Sequence, residues 1–390
     1  MTRVAIVFAA ILAFFGLILA VVWLSKPTKL TFNSCASCRI SVAVTVNGAS
    51  VSAKGFPKTA QGSFTTTTAG EYTFTVTDSS AIAVQRIVLS PHKTVTASLV
   101  PQPQSSITRV AAGDAYGLAA PDNSHLFFLQ ASDGGLYELV GNSLHPIDTT
   151  QSFLRMSWAD SSYGVAQDQG GQLWLYNGSA VTQLSQPNGS TFPNFAVAPN
   201  KELYLFLDGT LYRASPGSAL QKFASVDSDD SPTFMAAAGG NVALLNDADE
   251  PGEGGGVVLV YSDSGKKTEK AGGSFITAWS PSGTSLLTSS TNGAVILNSK
   301  LHQTNLIAQS GITNAAWIND TWLVYSVAGQ LWLYNANTGG ASLLASTTGG
   351  AVTQLAISDD HSTAYIVARS SISADDTTSF IGEVALPTGL

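Results

Sequence analysis

The heptapeptide Gly-Gln-Leu-Trp-Leu-Tyr-Asn occurs twice in the chain, at Gly171–Asn177 and at Gly329–Asn335, 158 residues apart. That separation divides into four units of about 40 residues, the length of a repeat built from four short strands. Turn signals follow the same spacing. They begin at Pro121, Asp160 and Pro199, near Gly239, and at Pro281, Asn319 and Asp359, at intervals of 38 to 42 residues. Seven units are therefore expected between about Ser106 and the C-terminus. Units of this kind bury their apolar faces only against their neighbours, so the period dictates a stacked or ring-like all-β architecture.

The best-preserved unit contains Phe275-Ile-Thr-Ala-Trp-Ser-Pro-Ser-Gly-Thr-Ser-Leu-Leu287. It resembles the Trp-Ser-Pro-Asp-Gly turn of TolB-like and WD-repeat β-propellers, with Ser282 where aspartate is commoner. Ala120-Pro121-Asp122 and Ser358-Asp359-Asp360 are degenerate copies of that turn. The Gly-His and Trp-Asp signatures of true WD repeats are missing. The resemblance implies a seven-bladed β-propeller over residues 102–390 and says nothing about a ligand.

Within such a unit the heptapeptide is the third strand. Leu173 and Leu175 face one side, and Trp174 and Tyr176 the other. Both faces are apolar, as a sheet packed between two neighbours requires. Six units end in a fourth-strand segment: Leu144–Asp148, Val181–Ser185, Leu220–Ala224, Lys267–Ala271, Asn305–Ala308 and Ser342–Ala345. The seventh has Ala351–Ser358, Thr363–Arg369 and Phe380–Leu386, and then the chain ends at Leu390. Ile107–Ala111 is a spare strand ahead of the first unit. It is expected to supply the missing fourth strand and so to remove the open edge.

Val4–Leu24 is an uninterrupted apolar stretch, and at 1.5 Å per residue it spans about 31 Å, the thickness of a bilayer core. Residues 1–27 are read as an uncleaved transmembrane signal-anchor with Trp23 at the interface. The two-residue tail before Arg3 favours a cytoplasmic N-terminus and extracytoplasmic C-terminal domains, although Lys26, Lys29 and Arg39 make the charge balance ambiguous. A cleaved signal peptide is the competing reading.

Residues 28–101 read as a small β-sandwich. Ile40–Val46 alternates, Asn47-Gly48 supplies a tight turn, and Gly70-Glu-Tyr-Thr-Phe-Thr-Val76 alternates again. This last segment resembles the tyrosine-corner region of immunoglobulin-like and carboxypeptidase-regulatory-like sandwiches. Together with the Val-Asn-Gly turn it also resembles PEGA-type domains. Pro101–Ser106 is a polar linker.

Charged residues make up 11% of the chain, and the net charge is −8. Nucleic-acid binding needs a basic face to replace phosphate counterions, so it is excluded as an expectation. Cys35 and Cys38 are the only cysteines. Beyond a membrane their default is a disulfide. Thiol chemistry lacks a supporting fold pattern here, and zinc lacks a second ligand pair. His92, His125, His145, His302 and His361 are scattered without ligand spacing. The densest acidic run offers Asp247, Asp249 and Glu253 as calcium ligands, against the simpler reading of an exposed loop. Asp227, Asp229 and Asp230 form a second cluster one loop earlier. Trp158, Trp279 and Trp317 each stand two residues before a turn, positions that pack between blades or line a binding surface.

The expected function is that of a membrane-anchored, extracytoplasmic module that binds and scaffolds proteins, peptides or other envelope components. No catalytic residues or cofactor are expected, and a small-molecule ligand is not favoured. The alternative is a lactonase- or quinoprotein-like enzyme using the central channel. That needs several inward-facing His, Asp or Glu residues for a metal, or a tryptophan platform for a quinone, and no such set repeats at equivalent positions in the units.

Overall fold

The computed structural model describes residues 27–390 apart from 47–48, 51–58, 121–124, 142, 187–192, 227–231, 247–255, 291–292, 308, 348–349 and 374–375. The chain forms two compact units. The first runs to Pro103 and includes Thr338–Ser342; the second comprises Gln104–Asn337 and Leu343–Leu390. Among the described residues no helix is long and apolar enough to cross a membrane. The apolar stretch 4–24 lies outside them.

In the first unit, Lys29–Asn33 is the centre of a three-stranded sheet, antiparallel to Ser63–Thr66 and parallel to Thr94–Ser98. Arg39–Val46, Gly70–Asp78 and Ala81–Leu89 form a second, antiparallel sheet. Burial alternates residue by residue along Gly70–Asp78 and Ala81–Leu89, as expected of strands with one face on a core. Leu30, Phe32 and Phe64 from the first sheet meet Ile40, Tyr72, Phe74 and Val76 from the second. Phe32 and Phe74 stack at 4.0 Å. Tyr72 is fully buried, and its hydroxyl donates to the Thr68 carbonyl at 2.7 Å. This is the hydrogen bond of a tyrosine corner. It explains how a hydroxyl is tolerated in this core.

The second unit consists of antiparallel quartets. Their first strands are Ala115–Ala119, Phe153–Asp160, Asn194–Val197, Pro232–Ala238, the end of Lys267–Trp279, Ile312–Trp317 and Gly350–Ile357. Lys267–Trp279 serves twice. Its start pairs with Gly256–Tyr261 as a fourth strand, and its end pairs with Ser285–Ser290 as a first. The first strands neighbour one another in chain order, and Gly350–Ile357 neighbours Ala115–Ala119. The inner edges therefore form a closed circuit.

The last quartet is completed from the other end of the unit. Ile107–Ala112 pairs antiparallel with Asp376–Ala385, with Ile381 opposite Ala111 and Val384 opposite Ile107. The spare strand read from the sequence therefore closes this sheet, one residue longer than expected. Side chains reinforce the junction: Arg369 pairs with Asp114, and Arg109 lies 5.7 Å from the Phe380 ring centroid.

Both heptapeptides are third strands. Leu173 and Leu175 pack with Phe195, Val197 and Leu203 of the following quartet. Trp174 turns the other way, towards Leu129 and Leu136 of the preceding one. In the second copy Leu331 and Leu333 pack with Val352, Ala364 and Ile366 of the following quartet. The leading glycine is the turn residue that admits the strand: Gly171 has φ 82° and Gly329 φ 80°. A Cβ on Gly329 would lie 2.0 Å from the Gly350 carbonyl oxygen, so only glycine fits there.

Two outcomes follow. Deleting residues 104–112 of the full chain should lower the melting temperature by at least about 10 °C, since each kcal/mol moves a domain of this size by about 2–4 °C. Unchanged melting would show that the closing strand contributes nothing. Tyr72→Phe should cost about 1–2 kcal/mol in urea unfolding by removing the hydroxyl's bonds to the Thr68 carbonyl and to Thr66 Oγ1.

Candidate functional site

The first strands of the quartets converge where they enter their turns. The residues two positions before each turn are Ala119, Trp158, Val197, Ala237, Trp279, Trp317 and Ile357. All seven line one cavity of about 430 Å³ at the centre of the second unit. Alanines supply much of the remaining wall, among them Ala159, Ala238 and Ala316. The ionisable groups in the lining are Asp359 and His361, both exposed and both on the last turn. Small side chains dominate because seven strand ends meet around one axis, leaving little room for large ones.

The strand ends are held by hydrogen bonds between quartets. The Trp279 indole N–H donates to the Ala236 carbonyl, and that of Trp317 to the Ala278 carbonyl, each at 3.2 Å. Both indoles are only 7% exposed, so an unmet N–H would be costly, and the preceding strand meets it. The Val197 N–H donates to Ser157 Oγ at 2.9 Å. Three residues further from the turns a second set points to the following quartet. Tyr116 Oη donates to the Phe153 carbonyl at 2.6 Å, Arg155 Nη2 to that of Pro193 at 2.5 Å, and Asn314 Nδ2 to that of Val352 at 3.1 Å. Asn194 accepts from Arg155 and donates to the Pro232 carbonyl. Burial pushes the Arg155 pKa down, while its plane lies 4.9 Å from the Phe195 centroid.

Trp158 is held differently. It stacks on Phe127 at 4.1 Å and meets Tyr176 edge-on at 5.1 Å. Gly164 makes this possible, because a Cβ there would lie 2.5 Å from the indole ring. The three tryptophans read from the sequence are therefore packing residues and cavity-lining residues at once.

The turns form a polar rim. Lys201 Nζ meets Asp160 Oδ2 at 2.6 Å across two neighbouring turns. Ser282 gives both its N–H (3.1 Å) and its hydroxyl (2.7 Å) to Asp320 Oδ1 across another such pair. Asp360 accepts from Ser358 Oγ and from the Ser362 N–H and hydroxyl. At Asp160 and Asp320 partial burial opposes ionisation, but the donors from Lys201 and Ser162, and from Ser282, outweigh it and lower the pKa. At Asp360 the hydrogen bond from Ser362 leads the lowering.

The other sequence candidates lie elsewhere. His145 and His302 are exposed, and His125 opens a second strand, 3.5 Å from Glu138 Oε1 and stacked on Phe127. Cys35 and Cys38 are joined in the structure, their Cα atoms 5.1 Å apart. Cys38 is buried in the core of the first unit, and the Asp78 carboxylate lies close to both sulfurs. Asp247, Asp249 and Glu253, like Asp227, Asp229 and Asp230, fall outside the described residues. Sequence reasoning missed the alanines of the cavity wall. It also missed a second cavity of about 210 Å³, between the second and third quartets, bordered by Tyr163, Leu175, Leu184 and Leu220. An alanine in a strand carries no signal by itself, and a crevice between two sheets exists only once they are packed.

No protein-family model matches the sequence, and no curated protein sequence matches it. Solved structures do. The structure titled YCF48 bound to D1 peptide aligns with a TM-score of 0.50 and 12% identity, covering 72% of this chain and 93% of that one. YCF48 from Cyanidioschyzon merolae aligns with a TM-score of 0.49 and 12% identity, covering 73% of this chain and 97% of that one. Together with the antiparallel quartets, the first likeness shows a β-propeller fold.

Trp317→Phe removes the N–H that bonds the Ala278 carbonyl and part of the ring that fills the wall. Urea unfolding should report a loss of about 1–3 kcal/mol, from the lost hydrogen bond and the lost packing together. The carboxyls of Asp160, Asp320 and Asp360 have folded pKa values below the ordinary value of about 3.9. Their contribution to stability is complete above that value and is lost as pH falls through the lower folded values. Each contribution is small because solvent screens the rim. Melting should be flat from about pH 6 to 5 and fall below about pH 4, less steeply for Asp320→Asn.

Proposed function

We propose that the chain is a non-enzymatic binding protein in which a seven-bladed propeller captures protein or peptide segments at the mouth of its central channel. Residues 4–24 anchor it in a membrane with the folded units on the extracytoplasmic side. The first unit is a PEGA-like or immunoglobulin-like sandwich. The joined Cys35–Cys38 pair is in keeping with an oxidising compartment.

One observation carries the reading, namely the make-up of the mouth. Each first strand contributes an apolar or small residue, and three of the contributions are tryptophans. Aromatic and aliphatic walls with a polar rim are the usual make-up of a surface that takes apolar side chains of a partner. A metal-dependent channel enzyme would instead place repeated His, Asp or Glu side chains on these positions. Among solved propellers of this fold, one is titled as bound to a peptide, which agrees with the reading.

The test uses the full chain in detergent micelles and a displayed library of random peptides. Ala119 and Ala237 occupy the positions that hold tryptophan in three other quartets. The double variant Ala119→Trp/Ala237→Trp, confirmed as folded by its melting temperature, should therefore narrow the mouth. Peptides enriched by the parent chain are expected to bind the variant at least about 10-fold more weakly. Equal binding to both proteins would rule out the mouth, and a library with no enriched peptide would rule out peptide capture.

A further inference from the structure

The charge around the mouth is lopsided. Its described turns carry five carboxylates, Asp160, Glu202, Asp320, Asp359 and Asp360, against one lysine, Lys201, with His361 beside them. Glu202 is engaged by the Tyr204 hydroxyl and by Arg213. Lys201 is occupied, since its Nζ sits 2.6 Å from Asp160 Oδ2 and 2.9 Å from Ser162 Oγ. The other three carboxylates belong to two successive turns, those of the sixth and seventh quartets. Trp317 and Ile357 stand just inside these same two turns. The apolar floor and the negative rim thus adjoin on one side of the opening.

Hydrogen bonds keep that side negative. Ser282 donates twice to Asp320, and Ser358 and Ser362 donate to Asp360, so protonation of either carboxyl is opposed near neutral pH. Asp359 is exposed at the cavity edge. The whole chain has 26 acidic against 18 basic residues, which reinforces the local field at long range.

Resting on the peptide reading above, we propose that the segment taken by the mouth is basic: an apolar residue enters the cavity, and flanking lysines or arginines meet Asp320, Asp359 and Asp360. The geometry suits an extended segment. Its side chains alternate, so one apolar side chain points inward while its neighbours lie against the rim. A cavity of about 430 Å³ accommodates a large apolar side chain with space to spare. Cationic neighbours are favoured over anionic ones by charge complementarity, which acts mainly on selectivity and association rate.

Three fluorescein-labelled octapeptides test this on the full chain in micelles by anisotropy. One has a central leucine flanked by lysines, one the same leucine flanked by glutamates, and one a central serine flanked by lysines. The lysine–leucine peptide should bind at least about 10-fold tighter than the glutamate–leucine peptide at low salt, and the advantage should collapse in about 1 M salt, where the screening length is about 3 Å. Asp320→Asn/Asp359→Asn, confirmed as folded by its melting temperature, should cut the lysine-to-glutamate ratio several-fold. The serine peptide should bind weakly. A glutamate peptide that binds as well as the lysine peptide, or a ratio unchanged in the double variant, overturns the proposal. If both leucine peptides bind equally and Ala119→Trp/Ala237→Trp abolishes both, the mouth stands and only its charge preference fails. If no peptide binding responds to that tryptophan pair, the mouth reading fails as well.

Discussion

Pairing of Ile107–Ala112 with Asp376–Ala385 is the constraint on which the second unit depends. A chain of sheets packed face to face has two free ends, and each free end exposes an apolar face and an unpaired strand edge. Here the last sheet is built from both ends of the unit's sequence, so separating those ends means breaking a strand pair. The circuit of first strands follows from that closure, and with it the place where the turns meet.

Closure also explains the chemistry of the mouth. Seven strand ends brought around one axis leave space for alanines, and wider space only where a neighbour is small. Gly164 supplies such space for Trp158. The turns of the fourth and fifth quartets meet backbone to backbone at Gly239 and Gly283, where a Cβ on Gly239 would lie 2.3 Å from the Ser282 carbonyl oxygen. Trp279 and Trp317 fill the wall and use their N–H groups on the preceding strand. Beside the mouth, adhesion between quartets is thus carried by the inner strands, as the third strands carry it further out. The exposed turn residues remain available for charge, as Asp320, Asp359 and Asp360 illustrate.

Much of the fold was legible in the sequence because it rests on local signals at a fixed period. Turn residues and apolar strands recur with the unit, and a strand without a partner at one end answers a sheet lacking one at the other. The alternation at Gly70–Val76 likewise places Tyr72 inward, where its hydroxyl needs the Thr68 carbonyl. The site was only half legible. Trp158, Trp279 and Trp317 stand out, whereas Ala119, Ala237 and Ala316 do not, since their meaning comes from residues far away in the chain. The pairing of Asp320 with Ser282 was hidden for the same reason: the two are 38 residues apart and meet only because successive turns are neighbours.

The two heptapeptides separate what the words determine from what the fold decides. By itself the sequence determines that each copy is a third strand, apolar on both faces. The surroundings decide the rest. Trp174 is half-buried and donates its N–H to Asp168 Oδ2 at 2.8 Å. Trp332, spelled identically, is buried beside Tyr325, and its N–H meets no acceptor among the described residues. Tyr176 packs against Trp158, whereas Tyr334 is sealed deeply enough that burial drives its pKa far up. A strand's form follows from its own dihedral and periodic preferences, but the environment of each side chain is set by the neighbouring sheets, which the strand's own sequence does not encode.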